Sequence, residues 1–209
     1  TTAEELEHAR AQLQALQGQL VSLEALQRAA LGQSQTGVME WLARHSLDSA
    51  PRLAQSIEVE RGWERAVETV MGAYLEAVCV EGVDAVARLV KDLEAGQVAF
   101  VGGGPASTRA ERNAVNLSSL VEGPAVIDEL LAGVLTADSL TDALSRRGML
   151  APGESLITAE GIWIGRHWLR VSRDRDSHAG VLQREQEMRR LRDEVERARR
   201  SAEELGRTL

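Results

Sequence analysis

The 209-residue chain carries 24 basic and 32 acidic residues, a net charge of −8, with 44% hydrophobic and 27% charged residues and one cysteine. That balance belongs to an ordinary folded protein; it excludes a disordered chain, a surface coated in nonspecific nucleic-acid contacts and a disulfide within the chain. No apolar run is long enough to span a bilayer and the polar start lacks the form of a secretory signal, so no membrane partner is expected.

At the N-terminus Leu6, Ala9, Leu13, Leu16, Leu20 and Leu23 alternate by three and four and continue through Gln27 and Ala30. Residues 1–31 therefore read as one helix, roughly 45 Å long. The Gly- and Gln-rich stretch after Leu31 breaks the pattern, and Pro51 marks another boundary. Trp63, Val67, Val70 and Tyr74 predict one face of a helix, residues 77–80 a short buried strand, Val83, Val86, Val90 and Leu93 a second amphipathic helix, and residues 97–101 a second strand. These elements form a first half, about 38–101.

Residues 102–124, rich in Gly, Ser, Asn and Pro, are expected to connect it to a second half at 125–176. There the pattern predicts helix at 126–132, strand at 134–136, helix at 139–147, a hairpin with arms 156–158 and 162–164, and a further strand at 168–171. The second strand–helix unit echoes the first, as a structural repeat or chance would both produce. From 177 to 209 a closing helix places Val181, Met188, Val195, Ala202 and Leu209 seven apart, with Leu191, Ala198 and Leu205 between them. Such narrow apolar stripes are stable only against another helix. The two ends are expected to form one antiparallel coiled coil with the α/β insert, residues 32–176, at its tip.

Few residues suggest chemistry. Gly102-Gly103-Gly104-Pro105 follows a predicted strand but lacks the lysine and hydroxyl of a phosphate loop, and Pro105 removes a backbone donor, so a linker is the better reading. His8, His45, His167 and His178 are scattered and Cys79 stands alone in an apolar run, so no metal site, cofactor or catalytic constellation is expected. The suggestive cluster is Arg166, His167, Arg170, Arg173 and Arg175 with Trp163 and Trp168 interleaved. Arginines beside aromatic rings suit phosphate neutralisation and base stacking; a solvated strand paired with Asp174 and Asp176 is the competing reading.

Four phrases carry a resemblance: VERGWERAVETVMGAYLEAVCVEG (59–82), LLAGVLTADSLTDAL (130–144), SLITAEG (155–161) and GVLQREQEMRRL (180–191). Together with the coil–insert–coil plan they resemble the hinge of bacterial SMC (structural maintenance of chromosomes) proteins. Of the glycine-rich run that follows the turn in that family, only Gly161 and Gly165 are matched; His167, Trp168, Val171 and Ser172 stand where small residues are usual. The resemblance implies a mixed α/β hinge of two similar halves that forms a homodimer and joins two coiled-coil arms. The implied role is chromosome condensation and segregation in the cytoplasm, on the nucleoid, with ATP handled by heads outside this segment and DNA as a candidate partner. It assigns the dimer contact to Gly161, Ile162, Trp163, Ile164 and Gly165, on the expectation that Ile162–Ile164 is an edge strand with unpaired backbone groups. DNA contact, if made, is expected from the arginine–tryptophan cluster, at Arg166, Arg170 and Arg173. A ligand-binding or enzymatic α/β domain carried on a coiled coil, and a monomeric spacer, are the alternatives.

Overall fold

The computed structural model describes residues 2–31, 36–102, 115–171 and 180–208. Among these residues the helices and strands follow one another as α1 (Thr2–Ala30), α2 (Thr36–Arg44), β1 (Glu58–Val59), α3 (Glu64–Met71), β2 (Val78–Val80), α4 (Val83–Ala87), β3 (Phe100–Gly102), β4 (Val121–Glu122), α5 (Val126–Leu130), β5 (Val134–Ala137), α6 (Leu140–Arg146), β6 (Ser155–Thr158), β7 (Ile162–Ile164), β8 (Leu169–Val171) and α7 (Val181–Arg207). The chain divides into two compact units: Thr1–Ala29 with Gln183–Leu209, and Ala30–Leu182.

The first unit pairs α1 with α7 in antiparallel fashion. Glu24 bridges Arg192 at 3.0 Å, Gln27 bonds both Arg184 and Glu185, and His8, Ala9 and Gln12 share a groove with Ser201 and Leu205. Leu6, Met188, Leu191 and Val195 are buried along the seam, together with Gln27 and the flanking charge Glu185, while the outer charges stay in water. The heptad spacing produces this: alternation by three and four puts one stripe on each helix, and the stripes cover each other.

The second unit is built from two similar β–α–β pieces. β2 and β3 pair in parallel with α4 between them, and β5 and β6 pair in parallel with α6 between them. β7 adds antiparallel to β6, and β8 antiparallel to β7, giving the order β5-β6-β7-β8. The short pair β1–β4, with Val59 opposite Val121, ties the halves together. A central core collects Leu53, Val67, Leu75, Leu117, Ile127, Leu131, Ile157 and Leu182 from both halves. Smaller clusters lie under α2 (Trp41, Leu42, Val78) and under α6 (Ala143, Leu156, Ile164).

Several expectations are corrected. The helix carrying Trp63, Val67, Val70 and Tyr74 ends at Met71 and passes into a 3-10 turn, Gly72–Glu76, which rotates Tyr74 outward to 49% exposure and brings Leu75 into the core. The helix expected through Leu93 stops at Ala87, leaving Val83 and Val90 exposed and only Val86 buried. Residues 115–124 are no bare connector, because Leu117 and Val121 are fully buried and β4 pairs with β1. Most consequentially, Ile162–Ile164 is not an edge strand. β7 lies between β6 and β8, so its backbone is spent on both sides and Ile162 and Ile164 face a closed core.

Candidate functional site

The hairpin β6–β7 is closed by its own backbone. Gly161 N–H donates to the Thr158 carbonyl at 2.9 Å, and Ile162 N–H to Thr158 Oγ1 at 3.2 Å. Gly161 has φ +84°, and a Cβ there would press on Thr69 Oγ1 at 2.8 Å and Arg65 Cγ at 3.1 Å, so both the conformation and the space demand glycine. At the other end of β7, Gly165 lets the indole of Trp168 fold over the backbone; a Cβ would collide with that ring. Trp168 packs edge-to-face on Trp163 with centroids 5.1 Å apart, and Trp163 Nε1 donates to Ser155 Oγ at 2.9 Å.

The register then decides which side chains β8 shows. Leu169 opposes Ile164 and Val171 opposes Ile162, so both lie on the α6 face of the sheet; Arg170 opposes Trp163 on the other face. Yet Leu169 and Val171 are 53% and 42% exposed, because the core under α6 closes around β5, β6 and β7.

The outer edges of the sheets are not equivalent. On β5, Thr136 N–H donates to the Val115 carbonyl at 2.7 Å and Asn116 bridges Leu135, which occupies that edge. On β2, Arg52 bridges Val78 and Cys79 N–H donates to the Pro51 carbonyl, which occupies that one. Of the outer edges of the β2–β3 and β5–β8 sheets, those left without a backbone partner among the described residues are β3 in the first half and β8 in the second. Each stands beside exposed apolar side chains, Val83 against Gly102 in one case and Leu169 and Val171 in the other. An open strand edge with apolar neighbours is a template for another strand.

The predicted interface residues Gly161, Ile162, Trp163, Ile164 and Gly165 are therefore brought together, but as the support of the edge strand and not as the edge. Of the arginines, Arg166 is exposed and Nη2 of its guanidinium donates to the carbonyls of Gly148 and Leu150 at 3.0 and 2.8 Å, closing the turn after α6. It shares a cleft with Arg147, His167 and Ser145. Arg170 is exposed in the middle of β8, and Arg173 lies outside the described residues.

Three buried polar groups escaped the sequence reading. Glu68, 4% exposed, accepts from the N–H groups of Gly180 and Leu182 and so caps the start of α7 from α3. Glu185 is 4% exposed in the helix pair, yet the spacing of Leu191, Ala198 and Leu205 puts Arg184, not Glu185, on the heptad position after Val181, so no periodic signal announces it. Arg52, also 4% exposed, donates to the Glu76 carbonyl and approaches Met39. Burial pushes its pKa down, against the opposing pull of Glu76 and Cys79. Burial pushes the Cys79 thiol up, moderated by its contact with Ser56 and by Arg52. Among the described residues no group of three or more His, Cys, Asp or Glu side chains could hold a metal ion, and no helix is long and apolar enough to cross a membrane.

Residues 47–147 match the family model described as the flexible hinge domain of SMC proteins. The chromosome partition protein Smc of Coxiella burnetii is 39% identical over 175 residues, 83% of this chain and 15% of that protein. The corresponding protein of Methylococcus capsulatus is 39% identical over 207 residues, 92% of this chain and 17% of that protein. The chain thus spans about one-sixth of the curated relatives it matches. Among solved structures, an asymmetric dimer of the Geobacillus stearothermophilus SMC hinge domain superposes with a TM-score of 0.61 at 22% identity, covering 99% of this chain and 94% of that one. The folded elbow of cohesin gives 0.55 at 13% identity, covering 98% and 34%. At those identities the structures bear on the fold alone.

Proposed function

The chain belongs to the hinge family of SMC proteins, and from that premise we propose that it is the dimerisation hinge of a chromosome-partition SMC protein, a non-catalytic joint between two coiled-coil arms. The observation that carries the reading is the pair of open edges. If β8 of one copy adds to β3 of a second, a two-fold axis repeats the contact and all four open edges are consumed; β8 against β8 would leave both β3 edges bare. Leu169 and Val171 then gain cover, while Trp168, lodged over Gly165, stiffens the strand from behind. The relatives are chromosome partition proteins, and the dimeric arrangement belongs to the Geobacillus hinge by its description. By this reading the segment acts in the cytoplasm, on the nucleoid, and ATP is handled elsewhere in the longer protein.

The same proposal places DNA contact on Arg166, Arg170 and Arg173. Arg170 supports it best: it is exposed on the sheet face of Trp163, and in a chain of net charge −8 such contacts must be local. The test of dimerisation is the double variant Leu169→Lys/Val171→Lys, whose charges oppose strand addition. Light scattering behind a sizing column should show the mass fall from two chains to one; an unchanged dimer overturns the β8 assignment. Arg170→Ala should weaken retention of labelled DNA and lower the salt dependence by about one phosphate contact; unchanged binding removes Arg170 from the surface.

A further inference from the structure

The helix pair carries a polar layer in an otherwise apolar seam. Gln27 occupies the heptad position after Leu23 and is 2% exposed; Glu185 is 4% exposed and follows Arg184, which holds the α7 heptad position seven before Leu191. The Gln27 amide joins the two helices in a directional way. Its Nε2 donates to Glu185 Oε2 at 3.1 Å, and its Oε1 accepts from Nε of Arg184 at 3.1 Å. Apolar residues at these two positions would make a tighter seam, since replacing a buried polar or ionic group by packed hydrophobes is often neutral or stabilising. Such a layer therefore points to a role in choosing partners.

The choice matters because a self-associating chain holds four leucine-striped helices close together: two copies of α1 and two of α7. Leucine stripes alone pair with little discrimination. An α1–α1 pair in register would set Gln27 against Gln27, which can bond each other. An α7–α7 pair that used the same face would bury both Glu185 carboxylates at a seam that supplies no amide. Only α1 against α7 supplies the carboxylate with the Gln27 donor and gives Arg184 the Gln27 acceptor.

We propose that the Gln27–Arg184–Glu185 layer selects the pairing of the arms, admitting α1 against α7 and rejecting α7 against α7 of a second copy, with Glu185 carrying the discrimination. This rests on the reading of the chain as a self-associating hinge.

The experiment uses the whole chain in a Cys79→Ser background with Met188→Cys as a seam probe. Oxidation then links two chains only where α7 meets α7. The parent should give almost no linked species, and Gln27→Leu/Glu185→Leu should raise the linked fraction by about tenfold or more while raising the melting temperature of the helix pair by roughly 2–8 °C. Glu185→Gln, which keeps an acceptor and removes the charge, should fall between them. If the leucine variant is folded and links no more than the parent at the highest soluble concentration, the layer has no selecting role. That readout is separate from the hinge reading, which fails if the parent's mass is one chain at every concentration; linking of α7 remains measurable between monomers.

Discussion

Glu68→Ala should loosen the start of α7 and destabilise the globular unit by about 3 kcal/mol. The Glu68 carboxylate lies 3.0 Å from Gly180 N and 2.9 Å from Leu182 N, with Arg65 Nη1 3.9 Å away. These N–H groups belong to the unpaired first turn of a helix, and the acceptor is brought from a helix more than a hundred residues earlier. Leu182 is 2% exposed, so its N–H has no water to turn to, and a charge-assisted bond of this kind contributes about 1.5–3 kcal/mol. Gly180 is half-buried, so its N–H recovers part of its bond from solvent and adds about 1 kcal/mol. Glu68→Gln retains one carbonyl acceptor and turns an NH2 toward the other donor, so it should cost about half as much. All four tryptophans, Trp41, Trp63, Trp163 and Trp168, lie in the Ala30–Leu182 unit. Urea unfolding followed by their fluorescence therefore reads that unit. Glu68 does not cap α7 in this way if Glu68→Ala stays within about 1 kcal/mol of the parent or if the glutamine costs as much as the alanine.

Other residues make independent predictions. Gly161→Ala combines a left-handed backbone with contacts on Thr69 and Arg65 and should cost about 1–3 kcal/mol in the same assay; a neutral result contradicts the tight turn. Gly165→Ala should expel the Trp168 indole from Trp163 and shift the tryptophan emission, whereas an unaltered spectrum would mean that the edge-to-face pair does not depend on the glycine. Burial raises the pKa of Cys79, so the folded state holds the proton more tightly than the unfolded one. Its stabilising contribution is complete below the ordinary thiol range and is lost as pH rises through the folded value. Alkylation should accordingly be slow in the native protein at mildly alkaline pH and fast in denaturant; equal rates contradict the burial. The Arg146 guanidinium, 2.8 Å away, and then the Asp138 N–H hold Asp142 below the usual carboxylate range. Its contribution is present above the unfolded pKa and disappears as pH falls through the lower folded value, so Asp142→Asn should flatten the acid limb of the unfolding curve slightly. An unchanged limb would leave the pair with no energetic role.

What the sequence disclosed follows from how local each signal is. The seam of α1 and α7 repeats over four heptads, so its spacing alone identifies it. The hairpin around Gly161 is visible because two short apolar arms flank a turn that needs positive φ. The fate of Ile162–Ile164 could not be read in this way. Whether a strand is interior or at an edge depends on whether β8, five residues later, turns back along it, and the glycine and tryptophan that permit this act through space. Val83 and Val90 failed for a related reason: their helical spacing is real, but α4 is little more than one turn long, so Val90 falls in the turn that follows it, and Val83 stands beside Gly102 of β3. Leu117 and Val121 sit in a stretch whose composition suggests a linker, yet they join the central core, Val121 through its pairing with β1 and Leu117 from a turn beside β5, which no local pattern announces. Glu68 is the extreme case, since its partners lie 112 and 114 residues away in sequence.

Solution mass over a range of concentrations decides whether the chain self-associates through these edges. Self-association through β3 and β8 gives a particle of twice the 22.7 kDa chain that persists on dilution and is reduced to one chain by Leu169→Lys/Val171→Lys. A parent protein that scatters as one chain at every concentration would contradict it, and the open edges of β3 and β8 would then need another explanation.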